Sequence, residues 1–135
     1  MKNDISILVV DDEAMMRDLL EKILVREGYA VKTAGNGVEA LELLQHERFE
    51  LIISDMKMPN MDGFELLKAV KVEYPNINVI IMTAYGDTYT VKDALLLGAD
   101  EYITKPFKSH EISLVVERAY WRLLAAEKQK VHDRQ

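Results

Sequence analysis

A doubly wound α/β fold built on a parallel sheet is predicted by three observations. Apolar runs recur at Ile5-Ser6-Ile7-Leu8-Val9-Val10, Leu51-Ile52-Ile53 and Val79-Ile80-Ile81-Met82, with weaker ones at Tyr29-Ala30-Val31 and Tyr102-Ile103. They are near-continuous rather than alternating, the pattern of strands buried on both faces and covered by helices on both sides. Segments of helical spacing separate them in strict alternation, which calls for parallel strands joined by right-handed crossovers. Five strands favour the flavodoxin-like order 2-1-3-4-5 over the six-stranded dinucleotide fold.

In chain order, Met15, Leu19, Leu20, Ile23 and Leu24 follow the three-and-four spacing of an amphipathic first helix, which Gly28 ends as a C-terminal cap. Val38, Leu41, Leu44 and Gln45 repeat that spacing after Asn36-Gly37. Further helices are predicted at about residues 63 to 73, at about 90 to 97, and from 109 onward. Their N-caps are expected at Asp62, at Thr88 or Thr90, and at Ser109, and Gly98 closes the fourth. The last helix is expected to reach about Val131, roughly 35 Å at 1.5 Å per residue. Ile112, Val115, Val116, Ala119 and Leu123 form its core stripe, while Trp121 and Leu124 fall off it and mark a second apolar contact.

A chain of 135 residues suits one domain with one core. With 49% apolar and 30% charged residues it has a core to bury and lacks the signature of disorder. The absence of cysteine excludes disulfides, thiolate metal sites and thiol nucleophiles. A net charge of -6 offers no basic footprint, so direct nucleic-acid binding is not expected. Met1-Lys2-Asn3-Asp4 leads into an apolar stretch too short for a signal peptide or a membrane span, and the expected location is the cytoplasm with no membrane partner.

Ligands of open α/β sheets bind beyond the carboxyl ends of the strands. The residues directly after the apolar runs are Asp11 and Asp12, Asp55, Thr83 and Ala84, and Lys105-Pro106. Parallel strands bring them to one edge. Three carboxylates there repel one another unless a cation sits among them. Carboxylate oxygens, a backbone carbonyl and water suit Mg²⁺, which completes its shell with phosphate oxygens. Lys105 adds a point charge and Thr83 a hydroxyl for a phosphoryl oxygen. These are the parts of a phosphoryl-transfer site with a carboxylate nucleophile.

The sequence resembles the receiver domains of two-component response regulators, of the chemotaxis-regulator type, from about Ile5 to Tyr120. Four segments carry the likeness: Val9-Val10-Asp11-Asp12-Glu13, Ser54-Asp55-Met56-Lys57-Met58-Pro59-Asn60-Met61-Asp62-Gly63, Met82-Thr83-Ala84, and Gly98-Ala99-Asp100-Glu101-Tyr102-Ile103-Thr104-Lys105-Pro106-Phe107. The resemblance implies that Asp55 is the phosphoacceptor, that Asp12 and Asp55 ligate Mg²⁺ directly and Asp11 through water, and that the Lys57 carbonyl adds a ligand. Thr83 and Lys105 would hold phosphoryl oxygens, Lys105-Pro106 would be cis, and Tyr102 would be the rotating switch aromatic. Residues 1–120 would be the receiver domain and 121–135 an extension of the last helix, either a linker to an output domain or a frayed, solvated tail with output through a separate partner. The implied partners are a histidine kinase or phosphotransfer protein, an output domain or protein, and a second copy on phosphorylation.

Each residue also has an ordinary reading. Asp11-Asp12 alone suits a helix start, Thr83 a strand end, Lys105-Pro106 a solvated loop, and Tyr102 packing in a short strand. Met56, Met58 and Met61 suit gap-filling, and His46, His110 and His132 lack ligand spacing. An aspartyl phosphatase would carry a general acid two residues after its nucleophile, where Lys57 stands. A flavodoxin-like cofactor site needs Gly, Ser or Thr after the first strand, where Asp11-Asp12-Glu13 would repel phosphate. Lys57 and Tyr85 flank site residues, and crowding by both is expected to slow loss of the phosphoryl group.

Overall fold

The computed structural model describes residues 4–84 and 91–133. Strand and helix alternate throughout: β1 Ser6–Val10, α1 Ala14–Arg26, β2 Ala30–Ala34, α2 Gly37–His46, β3 Leu51–Asp55, α3 Gly63–Glu73, β4 Asn78–Ala84, α4 Val91–Leu96, β5 Glu101–Lys105 and α5 Ser109–Asp133. The strands form one parallel sheet in the expected order β2-β1-β3-β4-β5.

Alternate residues of the central strands feed two cores. Leu8, Val10, Ile52, Val79 and Ile81 meet α2, α3 and α4 on one face. Ile7, Val9, Leu51, Ile53, Ile80 and Met82 meet α1 and α5 on the other. The edge strands behave differently. β2 and β5 each leave side chains exposed between covered ones, which is why their apolar signal is weak.

Local chemistry sets the helix ends. Gly28 and Gly98 take φ of 101° after α1 and α4, the left-handed conformation that glycine adopts without penalty. The Asn36 side chain accepts from the Glu39 amide, and Asp62 and Glu65 form a reciprocal capping box on α3. Ser109 is the first residue of α5 rather than its cap; the Lys108 carbonyl accepts the Glu111 and Ile112 amides. Thr88 and Thr90 lie outside the described residues.

The helical stripes are narrower than the sequence suggests. On α1 only Leu20 and Leu24 are fully buried, while Met15 is 85% exposed and Leu19 also faces solvent; on α2 Val38 does the same. On α5, Ile112, Val115, Val116 and Ala119 are buried as expected, joined by Tyr120. Leu123 and Leu124 both pack on the core, so Leu124 does not fall off the stripe. Trp121 does: it is 59% exposed, edge-on to Tyr120 at 5.6 Å.

Candidate functional site

The register of the sheet assembles the site. Val10 pairs with Ser54 and Asp55 with Met82, so Asp11 and Asp55 come side by side and Thr83 lies one residue further along β4. Thr83 and Ala84 are the last residues of β4, within the strand rather than after it, and Ala84 pairs with Lys105. Carboxylate oxygens of Asp11, Asp12 and Asp55 lie within 4.8 Å of one another. Asp11, Asp55 and Thr83 are buried; Asp12 is exposed.

Lys105 closes the cluster. Its Nζ is 3.1 Å from Asp11 Oδ2 and 3.2 Å from Asp55 Oδ1. The Asp55 Oδ1 also accepts the Met56 amide at 2.9 Å. Asp11 Oδ1 accepts the Glu13 amide at 2.9 Å, which turns the chain into α1, and the Asp11 carbonyl accepts Arg17 Nη1 at 2.7 Å. The Lys105-Pro106 bond is cis.

Burial pushes the Asp55 carboxyl above its ordinary value; the Lys105 charge opposes that rise and Asp11 adds to it. Burial works against charge on Lys105, but the Asp55 and Asp11 carboxylates outweigh it and raise its pKa. The cluster therefore carries more negative charge than one ammonium satisfies. Three carboxylates on one rim are a donor set for a hard, oxygen-loving divalent cation.

Other expected residues sit around this centre. Lys57 lies in the loop after β3, with an exposed side chain. Tyr102 projects from β5, 40% exposed. Tyr85 lies outside the described residues, so the crowding expected of Lys57 and Tyr85 gains nothing from the structure. Met56 is buried, and Met58 and Met61 pack, partly buried, against the same core. His46 and His110 are exposed; the His132 side chain lies outside the described residues.

Two supporting residues carry no chemical signal in the sequence. Arg17, one turn into α1, holds the carbonyl of Asp11. Gly63 begins α3 against the end of β3: its amide donates to the Met56 carbonyl at 2.8 Å, and a Cβ there would stand 2.4 Å from the Asp55 carbonyl oxygen. Only the Asp62-Gly63 pair hints at it.

A carboxylate cluster and a lysine at the carboxyl edge of a 2-1-3-4-5 sheet define a receiver. The chain belongs to the response regulator receiver domain family, whose pattern matches residues 7–117, and the function of that family is to accept a phosphoryl group in two-component signalling. It is 45% identical over 112 residues to sporulation initiation phosphotransferase F of Bacillus subtilis, covering 83% of this chain and 90% of that protein. A response regulator receiver domain protein from Clostridium thermocellum superposes with a TM-score of 0.82 at 32% identity, over 87% of this chain and 95% of the other. NtrX from Brucella abortus gives 0.85 at 34% identity, over 96% of this chain and 30% of the other. Of several curated transcriptional regulators among its relatives the chain spans only 24% to 26%. Receivers of this family bind Mg²⁺ at an acidic pocket, and Asp11, Asp12 and Asp55 form such a pocket here.

Proposed function

We propose that Asp55 accepts a phosphoryl group from a histidine kinase or phosphotransfer protein, and that the change at this site is passed to an output domain or partner. The observation that carries this reading is the position of Asp55: a buried carboxylate at the end of a central strand, with Asp11 beside it and Lys105 at 3.2 Å. An Asp55 oxygen attacks phosphorus as the bond from phosphorus to the donor nitrogen breaks, leaving an acyl phosphate. Asp11, Asp12, Asp55 and the Lys57 carbonyl would hold Mg²⁺, which supplies charge neutralisation to the phosphoryl oxygens. Asp11 keeps the Lys105 ammonium over Asp55, so the same group can turn to a phosphoryl oxygen. Thr83, one register step away, donates its hydroxyl to another, and Tyr102 rotates inward as Thr83 moves.

Lys57 stands where an aspartyl phosphatase needs an acid, so turnover of phosphate esters is not part of this reading. Residues 121–135 extend the domain and link it to output, consistent with the long overlap with NtrX. Self-association on phosphorylation would use Trp121. Among the described residues no helix is long and apolar enough to cross a membrane.

Incubation with a small phosphodonor and Mg²⁺ is expected to add one phosphoryl group, labile to hydroxylamine as an acyl phosphate is. Asp55→Asn removes the gain in intact mass; an equal gain in the variant would move the site elsewhere. Chemical-shift titration with Mg²⁺ tests the pocket separately. Asp12→Ala is expected to weaken binding by about tenfold or more, the loss of one charged ligand, and an unchanged affinity would take Asp12 out of the coordination.

A further inference from the structure

At the amino edge of the sheet, opposite Asp55, the chain forms a groove of about 1250 Å³. It exists because α5 overhangs. A 25-residue helix spans roughly 37 Å, about twice the length of a five-residue strand. The overhanging turns face the loops before β1, β3 and β4 and close a cleft with them.

The overhanging wall is anchored. Glu101, buried at the start of β5, takes Arg118 Nη2 at 2.9 Å on one oxygen and Arg122 Nη2 at 2.5 Å on the other. Arg122 Nη1 also donates to the Asp100 carbonyl at 2.8 Å. Tyr120 packs edge-on against Tyr29 with centroids 6.4 Å apart. The arginines of α5 are thus turned toward β5, while Leu123, Leu124 and Glu127 line the groove.

The lining has two chemistries. Half-buried Tyr74, Leu123 and Leu124 offer an apolar wall over the core. Around them stand five carboxylates, Asp4, Glu47, Glu50, Glu73 and Glu127; Arg48 pairs with Glu50 at 3.3 Å and Lys32 of β2 with Glu47, which leaves the rim acidic in excess among the described residues. We propose that this groove docks a cationic, amphipathic segment of another protein, its apolar face on Tyr74, Leu123 and Leu124 and its Lys or Arg side chains on the carboxylate rim.

Charge selects this occupant over the others. Nucleic acid and anionic lipid are repelled by the rim. A second copy docking by two-fold symmetry sets one acidic groove against the same groove, in a chain whose net charge is already -6. A basic amphipathic segment satisfies wall and rim together. Since the groove lies at the far edge from Asp55, occupancy leaves phosphoryl uptake open.

The test uses the full chain and an amphipathic leucine-lysine peptide, with a leucine-glutamate peptide as control, followed by backbone amide shifts. Shifts are expected to cluster on residues 44–50, 73–78 and 120–127, with binding that weakens as salt rises. Glu73→Lys with Glu127→Lys changes two exposed positions, so the fold is kept; affinity for the lysine peptide should fall about tenfold or more while phosphoryl uptake at Asp55 is unaltered. Shifts centred on another face, equal binding of the glutamate peptide, or unchanged affinity in the double variant would each overturn the proposal. Concentration-dependent growth in sedimentation without peptide, lost in the double variant, would give the groove to a second copy instead.

Discussion

Gly63→Ala is expected to destabilise the fold by about 3 kcal/mol, the upper part of the usual cost of overpacking a rigid site, and to slow phosphoryl uptake at Asp55. A Cβ at this position would lie 2.4 Å from the Asp55 carbonyl oxygen and 2.9 Å from the Met56 Cα. Both obstacles are backbone, and Asp55 is fixed in the sheet by pairing with β4. Helix α3 cannot slide away cheaply either, because the Gly63 amide donates to Met56 and the capping box fixes its first turn. Relief has to come from moving the end of β3, which carries the nucleophile. Gly37 is the internal comparison. There a Cβ meets Met61 Cγ and Sδ at 2.8 Å and Met61 Cβ at 3.0 Å, a side chain whose thioether can turn aside where a backbone cannot, so Gly37→Ala should cost less than Gly63→Ala. Urea unfolding of both variants, with uptake rates from intact mass, separates the two situations. Equal costs would show that the backbone contact at Gly63 does not constrain the site.

The sheet was legible in the sequence where its strands are covered on both faces. β1, β3 and β4 read as continuous apolar runs because both sides of each face helices, and their order followed from alternation and strand count. β2 and β5 lie at the edges and are covered on one face, so only Tyr29-Ala30-Val31 and Tyr102-Ile103 stood out for strands at Ala30–Ala34 and Glu101–Lys105. In α1, spacing identified an apolar face but not how much of it the sheet reaches. Met15 and Leu19 lie on a flank that stays exposed among the described residues.

The chemical residues were legible for a related reason. Asp11, Asp55, Thr83 and Lys105 each lie at or next to the carboxyl end of a strand, and parallel topology converts that shared position into proximity. What stayed hidden depends on contacts between elements. The close approach of α3 to β3 at Gly63 is set by how two elements pack, not by the neighbours of Gly63 in sequence. The amino-edge groove needs the length of α5, the anchoring of Arg118 and Arg122 on Glu101, and the loops opposite, all at once.

Lys105→Met should lower stability at neutral pH by about 3 kcal/mol, the scale of removing one partner from a buried ion pair. Methionine keeps the length and flexibility of the chain, so the change is mainly one of charge. The Lys105 side chain is 15% exposed, and the carboxylates it meets on Asp11 and Asp55 are 0% and 10% exposed, so solvent screens the loss little. The direction with pH follows from the groups involved. Asp55 already titrates above its ordinary value of 3.8 in the folded protein, and the Lys105 charge is the largest influence holding it down. Without Lys105 it rises further. A carboxyl raised on folding contributes stability that is complete below its unfolded pKa and lost as pH climbs through its folded one. The deficit of the variant is therefore small in acid and grows through mild acid toward neutrality. At the alkaline end it shrinks again, because Lys105 in the native protein is raised above 10.5 and its contribution disappears as pH passes its folded value. Mg²⁺ should stabilise the variant more than the native protein, since in the native site the ammonium already occupies Asp11 and Asp55. Tm measured across pH with and without Mg²⁺ reads both effects. A deficit independent of pH, or equal Mg²⁺ shifts in the two proteins, would mean that Lys105 acts through packing and does not compete with the metal for the carboxylates.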